Sequence, residues 1–361
     1  MTIERTFGAG GDYARFKDIL NFLNGIVVAN DYTFVQVGDC NETINDYALE
    51  FDPNGYTIKF TNDSYHYGEL SRGNKIYLPN DSGVYIRLGN TGRIIVEKLN
   101  IEKTAWDTGL SSGVSVLNVH RGGAFADNSN ILIDKCLTKS SHGLPVGGFG
   151  SSAIYVAGFR NNSTCIIKAS KAWNASGTGY CFRIGVDANS LGTIENCSAY
   201  FDTGSSPGNY CFFLVAENGS QGYIRNCVGS GAGVGDFANL VGSNMQAINC
   251  ADADGSLVGF PGSRNISNIT PADEFISLDD STPYFLKLKN GSLVAGASAL
   301  PVKGRAPLKV QFTNSSDYVF QSRNLGDGGT VPLYTTEDIG LNPIPTDEQF
   351  YSIGCHQVEV V

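Results

Sequence analysis

The sequence predicts an all-β protein: a parallel β-helix that begins with a capping helix and is followed by a small C-terminal β-sandwich. Three observations support this fold class. Six related tetrapeptides recur at the spacing of single solenoid turns. Glycine takes 44 of the 361 positions and charged residues only 17%, which favours turns and buried strands over long helices. A second set of similar segments repeats in the same register.

The first 30 residues are predicted to form a lead-in and a capping helix. Phe16, Ile19, Leu20 and Leu23 fall on one face of a helix, and Gly25 follows as a stop signal. An uncapped solenoid exposes its core and its strand edges. We therefore expect this helix to cover the first turn of the solenoid, which is assigned to residues 31–291.

The six tetrapeptides begin at residues 96, 133, 166, 194, 224 and 247, so successive spacings are 37, 33, 28, 30 and 23 residues. Each has an aliphatic first position, Lys or Asn at the third and a compact apolar residue at the fourth. Such periods are typical of solenoids, in which equivalent residues stack on successive turns. The fourth positions are predicted to form one buried column: Leu99, Cys136, Ala169, Cys197, Cys227 and Cys250.

The third position of each tetrapeptide is predicted to be a sharp bend between strands. Asn tolerates the left-handed backbone that such a bend requires, and its amide can bond to the neighbouring turn. Asn196, Asn226 and Asn249 are therefore expected to stack as a ladder. No bend column is recognisable before Val96, so residues 31–90 have no register. The alternative is an antiparallel sandwich whose strands resemble one another by chance.

A second column supports the solenoid. The segments YCFRI (180–184) and YCFFL (210–214) are also 30 residues apart. Their shared pattern repeats at the same distance as the neighbouring tetrapeptides. Two columns in one register favour stacked turns over an ordinary sandwich.

The lead-in GAGGDY and the Ile-x-Asn-Cys turns resemble the pectin-lyase-fold superfamily, which includes pectin esterases, pectate lyases and phage tailspikes. The resemblance covers residues 7–25 and extends through the repeats to about residue 250. It implies a single-stranded, right-handed parallel β-helix. The segment FLKLKNGS (285–292) looks like the closing turn of such a helix.

Residues 292–361 are similar to a PKD domain, which is an immunoglobulin-like β-sandwich. The family's G-x-A-P-L-x-V-x-F, G-D-G and N-P motifs and its terminal strand occur in the family's order. Arg323-Asn324-Leu325 departs from the family's Trp-x-Phe, so the core tryptophan is missing. The resemblance depends on Ala306, Pro307, Leu308, Val310, Phe312, Gly326, Asp327, Gly328, Asn342, Pro343, Tyr351, Gly354, Val358 and Val360.

Composition argues against several classes of partner. The 25 basic residues are scattered among 35 acidic ones, which makes nucleic acid an improbable ligand. We expect no membrane insertion, because the sequence has no long apolar run. The N-terminus lacks a secretory pattern, so we expect cytoplasmic synthesis, with the nine cysteines as reduced thiols. Their spacing predicts no zinc site, and we expect neither a metal nor another cofactor.

No catalytic residues are predicted. Hydrolysis of glycosidic bonds uses two carboxyl groups at a fixed separation. Glu97 and Asp134 align on neighbouring turns, but each is followed by a lysine, and a solvated charged face is the favoured interpretation. The Q-D-T and D-F-I-F-G segments of pectin esterases are absent. His142-Gly143 precedes Asp279-Asp280, the reverse of the order in polygalacturonase-type hydrolases.

Aromatic residues provide the one candidate binding site. Trp106 and Trp173 follow the bend column, and Tyr200 and Phe201 occupy the corresponding stretch of another turn. Exposed rings on one edge of the solenoid can stack on sugars. The alternative, which is favoured, is that these rings hold inserted loops against the body.

The resemblance implies a non-enzymatic surface protein of a bacteriophage virion, either a capsid decoration protein or a spike. By analogy we expect a homotrimer that contacts other virion proteins, such as capsid or tail proteins, and attaches to host surface glycans. Its expected location is the virion, after assembly in the host cytoplasm. Two alternatives remain open: a tailspike that depolymerises a polysaccharide, and a bacterial cell-surface adhesin.

Overall fold

The computed structural model of the protein describes residues 1–42, 49–79, 83–103, 115–122, 127–140, 151–174, 179–202, 209–238, 244–248, 250–263, 265–282, 285–287, 309–311 and 330–332. In these ranges the fold is all-β, with three long parallel sheets and two helices. The predicted fold class is confirmed at this level, and the arrangement is compatible with a parallel β-helix. No helix in the described ranges is long and apolar enough to cross a membrane.

Each of the three large sheets collects one strand from successive turns of the chain. Sheet A contains β1 (Thr2–Phe7), β2 (Asp31–Gln36), β4 (Thr57–Asn62), β7 (Arg93–Glu97), β10 (Asn130–Asp134), β13 (Thr164–Lys168), β16 (Leu191–Glu195), β19 (Gln221–Arg225), β22 (Met245–Ile248) and β23 (Gly262–Ser263). Sheet B contains β3 (Cys40–Asn41), β5 (Lys75–Leu78), β8 (Asn100–Lys103), β11 (Leu137–Ser140), β14 (Lys171–Asn174), β17 (Ser198–Phe201) and β20 (Val228–Ser230). Sheet C contains β6 (Val84–Leu88), β9 (Leu117–Arg121), β12 (Ser151–Phe159), β15 (Gly179–Val186), β18 (Tyr210–Ala216) and β21 (Gly235–Ala238).

From β4 to β22 the chain visits sheets A, B and C in rotation, and we call one such passage a coil. Every strand pair within the three sheets is parallel. Side chains alternate along each strand, so one row points into the solenoid and the next points out. The inward row of sheet A is apolar and fully buried, as at Ile94, Ile131 and Cys165. These stacked inward rows form the main core.

The predicted capping helix is present as α1 (Phe16–Asn24). Its four predicted apolar residues are buried, and the Phe16 ring lies 4.8 Å from that of Phe60. The Glu42 carboxylate accepts hydrogen bonds from the backbone N–H of Phe16 at 2.6 Å and of Lys17 at 3.4 Å. An acidic group at this end also complements the helix dipole. The second helix, α2 (Pro271–Glu274), is a single turn.

The bend between sheets A and B uses left-handed backbone. Lys98, Lys135, Asn196 and Asn226 all have φ between 52° and 62°. Asn196 and Asn226 stack on adjacent coils, because Glu195 pairs with Arg225 directly before them. Asn249, the third member of the predicted ladder, lies outside the described residues.

The predicted buried column contains one wrong residue, Ala169. Lys168 pairs with Asp134 and with Glu195, so Ala169 occupies the bend, with φ 45°. Ser170 takes the column position. The error arose because Ile166 and Ile167 are both aliphatic, and only Ile167 faces the core. The column is therefore Leu99, Cys136, Ser170, Cys197, Cys227 and Cys250, all fully buried.

A serine ladder lines the opposite corner, where sheet C leads back to sheet A. The backbone N–H of Ser129 donates to Ser163 Oγ at 3.0 Å, and that of Ser163 donates to Ser190 Oγ at 3.1 Å. Ser190 N–H continues the ladder to Ser220 Oγ at 3.0 Å. Left-handed residues such as Asn128 and Asn218 come just before these serines. The ladder satisfies backbone donors that the turn would otherwise bury without a partner.

The outer face of sheet B is covered by two segments of the same chain, which we call the B cover: residues 63–74 and the described residues of 265–287, which are 265–282 and 285–287. A second apolar cluster lies beneath them, in which Phe285 and Leu70 pack with Trp173. The buried Lys171 ammonium donates to Gly68 O at 2.9 Å and to Phe285 O at 2.6 Å, which joins the two segments. Lys287 Nζ reaches Glu69 Oε1 at 3.0 Å.

His66 fastens the first of these segments to the solenoid. Its Nδ1 accepts the backbone N–H of Gly68 at 2.8 Å, and its Nε2 lies 3.0 Å from Lys135 O. These partners fix the neutral tautomer with the proton on Nε2. Burial lowers the pKa of His66 to about 3, because the charged form would lose its hydration.

The predicted C-terminal sandwich lies almost wholly outside the described residues. Only the antiparallel pair of β24 (Lys309–Gln311) and β25 (Thr330–Pro332) is described there. The PKD-like domain, which was predicted from the motifs at 304–316, 325–329 and 342–343, therefore stays a prediction.

Candidate functional site

The aromatic residues predicted to bind sugars do not form a surface site. Trp173 is only 6% exposed and lies edge-on to Phe285, with 6.3 Å between ring centroids. Tyr200 is half-buried and lies edge-on to the same ring at 5.9 Å. Phe201 points inward and is 1% exposed. The rings of Trp173 and Tyr200 thus hold a chain segment against the body, as in the alternative interpretation, while Trp106 lies outside the described residues.

A different row of side chains lies on the outer face of sheet C. Strand register places Tyr85 beside Asn118, and Asn118 beside Tyr155. The row continues from Tyr155 to Arg183 and from Arg183 to Phe213. Since neighbouring parallel strands are about 4.8 Å apart, five side chains extend along the solenoid for about 19 Å.

Two more tyrosines flank this row. The strand ladder omits Cys181 and Cys211, whose thiols turn toward sheet B: Cys181 Sγ lies 3.6 Å from Tyr200 O. This irregularity lets Tyr180 and Tyr210 face outward, where their rings stack with centroids 6.0 Å apart.

The aromatic side chains close around one arginine. We call Tyr155, Tyr180, Arg183, Tyr210 and Phe213 the sheet C patch. The Arg183 Cζ lies 4.6 Å from the Tyr155 ring centroid, 5.1 Å from that of Tyr180 and 5.3 Å from that of Phe213. Phe213 also lies 4.6 Å from Tyr180. These distances are those of cation–π contacts.

Arg183 has no carboxylate partner within the described part of the chain. None of the ion pairs found there includes it. Contacts with rings use the flat face of a guanidinium and leave its in-plane N–H groups available for hydrogen bonds. The half-buried guanidinium is therefore surrounded by rings and keeps donors for a ligand.

Asn118 adds an unsatisfied polar group to the same row. The residue is 8% exposed, and no hydrogen bond reaches its Oδ1 from the residues that the structure describes. A buried carbonyl without a partner costs about 1–3 kcal/mol. A water molecule or a ligand donor at this position would remove that cost.

An ion pair that includes Arg87, on the same strand as Tyr85, borders the row. Arg87 Nη2 lies 3.8 Å from Glu50 Oε2. His120 neighbours Arg87 on the adjacent strand. Burial, and then the positive charge of Arg87, lower the pKa of His120. This imidazole is therefore held mainly neutral near pH 7.

Carboxylates are scarce on this face. In the six strands of sheet C as described, the one acidic residue is Asp236, which is fully buried. Its carboxylate accepts hydrogen bonds from the Ala253 N–H at 2.8 Å and the Cys211 thiol at 3.3 Å. Burial and the nearby Asp254 raise the pKa of Asp236 to about 7. The chemistry offered outward is aromatic, cationic and amide.

The cysteines and the acidic residues form no metal site in the described ranges. The eight cysteines there are buried and carry no disulfide. Burial raises the pKa of the Cys136 thiol well above its usual value. These thiols act as small apolar side chains.

Comparison of the chain with protein-family models, with curated proteins and with solved structures finds no match. The sheet C patch was missed in the sequence analysis, although its signal was present. Alternation within the last three residues of YCFRI and YCFFL places Arg183 and Phe213 on the face opposite to Phe182 and Phe212.

Proposed function

We propose that this protein is a surface-recognition protein that binds a glycan through the sheet C patch. The observation that carries the proposal is the clustering of three aromatic rings around Arg183 on an outer face of the solenoid, with the Tyr210 ring stacked on that of Tyr180. Aromatic faces stack on the apolar faces of sugar rings, and a fixed guanidinium hydrogen-bonds to sugar oxygens. Half-buried rings also lose little side-chain entropy when a ligand binds.

The face is suited to an elongated ligand. Its polar and aromatic groups follow the solenoid axis on consecutive strands, so a linear oligosaccharide can contact several coils at once. Each coil then contributes one contact. Binding energy accumulates along the chain of sugars rather than in one deep pocket.

We place this protein on a bacteriophage particle, as a decoration or spike protein, with a right-handed pectin-lyase-type β-helix and a PKD-like C-terminal domain. The resemblance of the lead-in and of the Ile-x-Asn-Cys turns supports this. The eight described cysteines, which are buried and form no disulfide, are in keeping with assembly in a reducing cytoplasm. A homotrimer is part of the same proposal. Mass spectrometry of purified particles tests the placement, and absence of the chain from them would overturn it.

Glycan binding is tested with an array of bacterial surface polysaccharides and the variant Tyr180→Ala/Tyr210→Ala. We expect the wild-type chain to bind at least one polysaccharide and the double variant to lose about 10- to 100-fold in affinity, the value of one to two aromatic contacts. Tyr56→Ala is the matched control, because Tyr56 is an exposed tyrosine in a turn outside sheet C. Equal binding by all three proteins contradicts the proposal.

The same polysaccharides separate binding from depolymerisation. After incubation with wild-type protein, we expect unchanged chain length and no new reducing ends or unsaturated products. Release of short products would instead support the tailspike depolymerase. Detection of the protein on a bacterial surface, with no phage particles present, would support the adhesin.

A further inference from the structure

We propose that the sheet C patch selects a sugar that carries an anionic group, with Arg183 as the partner of the anion and Asn118 as acceptor for a neighbouring sugar. This inference rests on the proposed function, since it specifies the ligand of the same site. The anion is a carboxylate or a phosphate, which present the same oxygen geometry to a guanidinium.

The first argument is the state of Arg183. Its Cζ lies within 5.3 Å of three ring centroids, yet no carboxylate in the described ranges pairs with it. The whole chain has ten more acidic than basic residues, 35 against 25. An arginine that is half-buried and fixed without an acidic partner is therefore unusual in this composition. A carboxylate or a phosphate would accept two parallel hydrogen bonds from the N–H groups of this guanidinium.

The second argument is the position of Asn118. It stands two strands from Arg183 in the same outward row, and Tyr155 lies between them. Two strand spacings are about 10 Å, a distance that a short oligosaccharide spans. Its Oδ1 accepts no hydrogen bond in the described part of the chain. This oxygen can accept only from a donor, so the adjoining sugar must offer a hydroxyl or an N-acetyl N–H.

The two groups divide the site into two positions. At one, a sugar stacks on Tyr180 and Tyr210 and places its anion on Arg183. At the other, the next sugar lies over Tyr155 and donates to Asn118. A neutral glycan can fill both positions but leaves the guanidinium without its anion. Selectivity then comes from charge, because an anion accepts stronger, charge-assisted hydrogen bonds from the guanidinium than a neutral sugar oxygen does.

The probes are alginate, which carries a carboxylate on every sugar, a phosphate-containing teichoic acid, and neutral dextran. Alginate whose carboxyl groups have been reduced to alcohols keeps the rings and removes the charge. We expect wild-type protein to bind an anionic polymer and to lose affinity as salt rises. Loss of alginate binding after carboxyl reduction shows that a carboxylate is recognised, whereas binding of teichoic acid without binding of alginate shows that a phosphate is recognised.

Two arginine variants separate charge from geometry. Arg183→Gln should lower affinity for the anionic polymer by about 10- to 100-fold, the range for a lost charge-assisted hydrogen bond. Arg183→Lys should recover part of that loss, because it keeps the charge without the planar fork. Asn118→Ala should weaken binding without changing its salt dependence. Circular dichroism and the unfolding midpoint show that each variant is folded.

The outcomes distinguish this inference from the proposed function. Binding to dextran or reduced alginate as tight as to alginate and teichoic acid, with Arg183→Gln unchanged, overturns the anion inference and leaves glycan binding intact. If no polysaccharide of the probe set or the array binds, the proposed function fails as well. Loss of anionic binding in Arg183→Gln, with Tyr56→Ala unchanged, supports both.

Discussion

Replacement of His66 tests whether a neutral buried imidazole holds the B cover in place. His66 is fully buried, and both of its ring nitrogens have partners in the neutral form. Protonation would add a proton to Nδ1, which faces the Gly68 N–H. Glutamine can still donate to Lys135 O but cannot titrate. The variant His66→Gln should therefore remove a pH-dependent term from stability.

The sign and size follow from the pKa. The folded-state pKa of about 3 lies below the ordinary value of 6.5. The stability due to neutral His66 is therefore complete above pH 6.5 and is lost as the pH falls from 6.5 toward 3, where the unfolded chain binds a proton and the folded chain does not. At pH 5.0 the unfolded state gains about 2 kcal/mol, from 1.36 kcal/mol per unit over about 1.5 units.

Urea unfolding at pH 7.5 and pH 5.0, followed by tryptophan fluorescence, measures this term. Trp173 packs in the same apolar cluster as Leu70 of the B cover and reports on it. The wild-type chain should lose about 2 kcal/mol more than His66→Gln between the two pH values, although the variant starts about 1–2 kcal/mol less stable through the lost Gly68 bond. Other titrating groups cancel in this comparison.

The half-buried His120 supplies the control substitution, His120→Gln, for which we expect a smaller difference. Nuclear magnetic resonance of histidine-labelled protein measures the pKa of His66 directly. A His66 that titrates near 6.5, or equal acid sensitivity in the wild type and in His66→Gln, would refute the reasoning.

Two further predictions concern the other end of the chain. The pH dependence of stability due to Asp236 has the opposite sign to that due to His66. The pKa of Asp236 is raised to about 7, so its stabilising contribution is complete below pH 4 and is lost as the pH rises through 7. Asp236→Asn should flatten the decline in unfolding free energy between pH 5 and pH 8, and an unchanged decline contradicts this. Phe285→Ala should remove about 3–5 kcal/mol of local packing against Trp173 and Tyr200. Limited proteolysis should then cut residues 265–287 before the solenoid, whereas equal resistance in both proteins would show that this contact does not hold the segment.

The coils could be predicted from the sequence because each coil carries the same short pattern of consecutive residues. Asn196 and Asn226 follow from the preference of asparagine for left-handed backbone, and both have φ 52°. Lys98 and Lys135 adopt the same backbone without that preference, so tertiary packing decides the bend there. The serine ladder could also have been predicted, since Ser129, Ser163, Ser190 and Ser220 recur at spacings of 34, 27 and 30 residues.

The site could not be predicted as readily, because it depends on which outer face stays uncovered. Trp173 and Tyr200 alternate outward on sheet B just as Tyr155 does on sheet C. What separates them is Phe285, 112 residues beyond Trp173 in the chain. No local pattern shows that residues 265–287 return to sheet B. Only the fold tells a covered aromatic row from an open one.

Aromatic residues are therefore packed differently on the outer faces of sheets B and C. On sheet B, a lysine with its ammonium on two backbone carbonyls joins segments that bury Trp173. On sheet C, Arg183 lies among the half-buried rings of Tyr155 and Tyr180 and the buried ring of Phe213, and it has no acidic partner in the described chain. Covering aromatic area with the protein's own chain stabilises the fold, whereas leaving it open forgoes that stabilisation. The proposed function accounts for this difference: a ligand from outside the chain would use the rings, the cation and the Asn118 oxygen, which has no partner among the described residues.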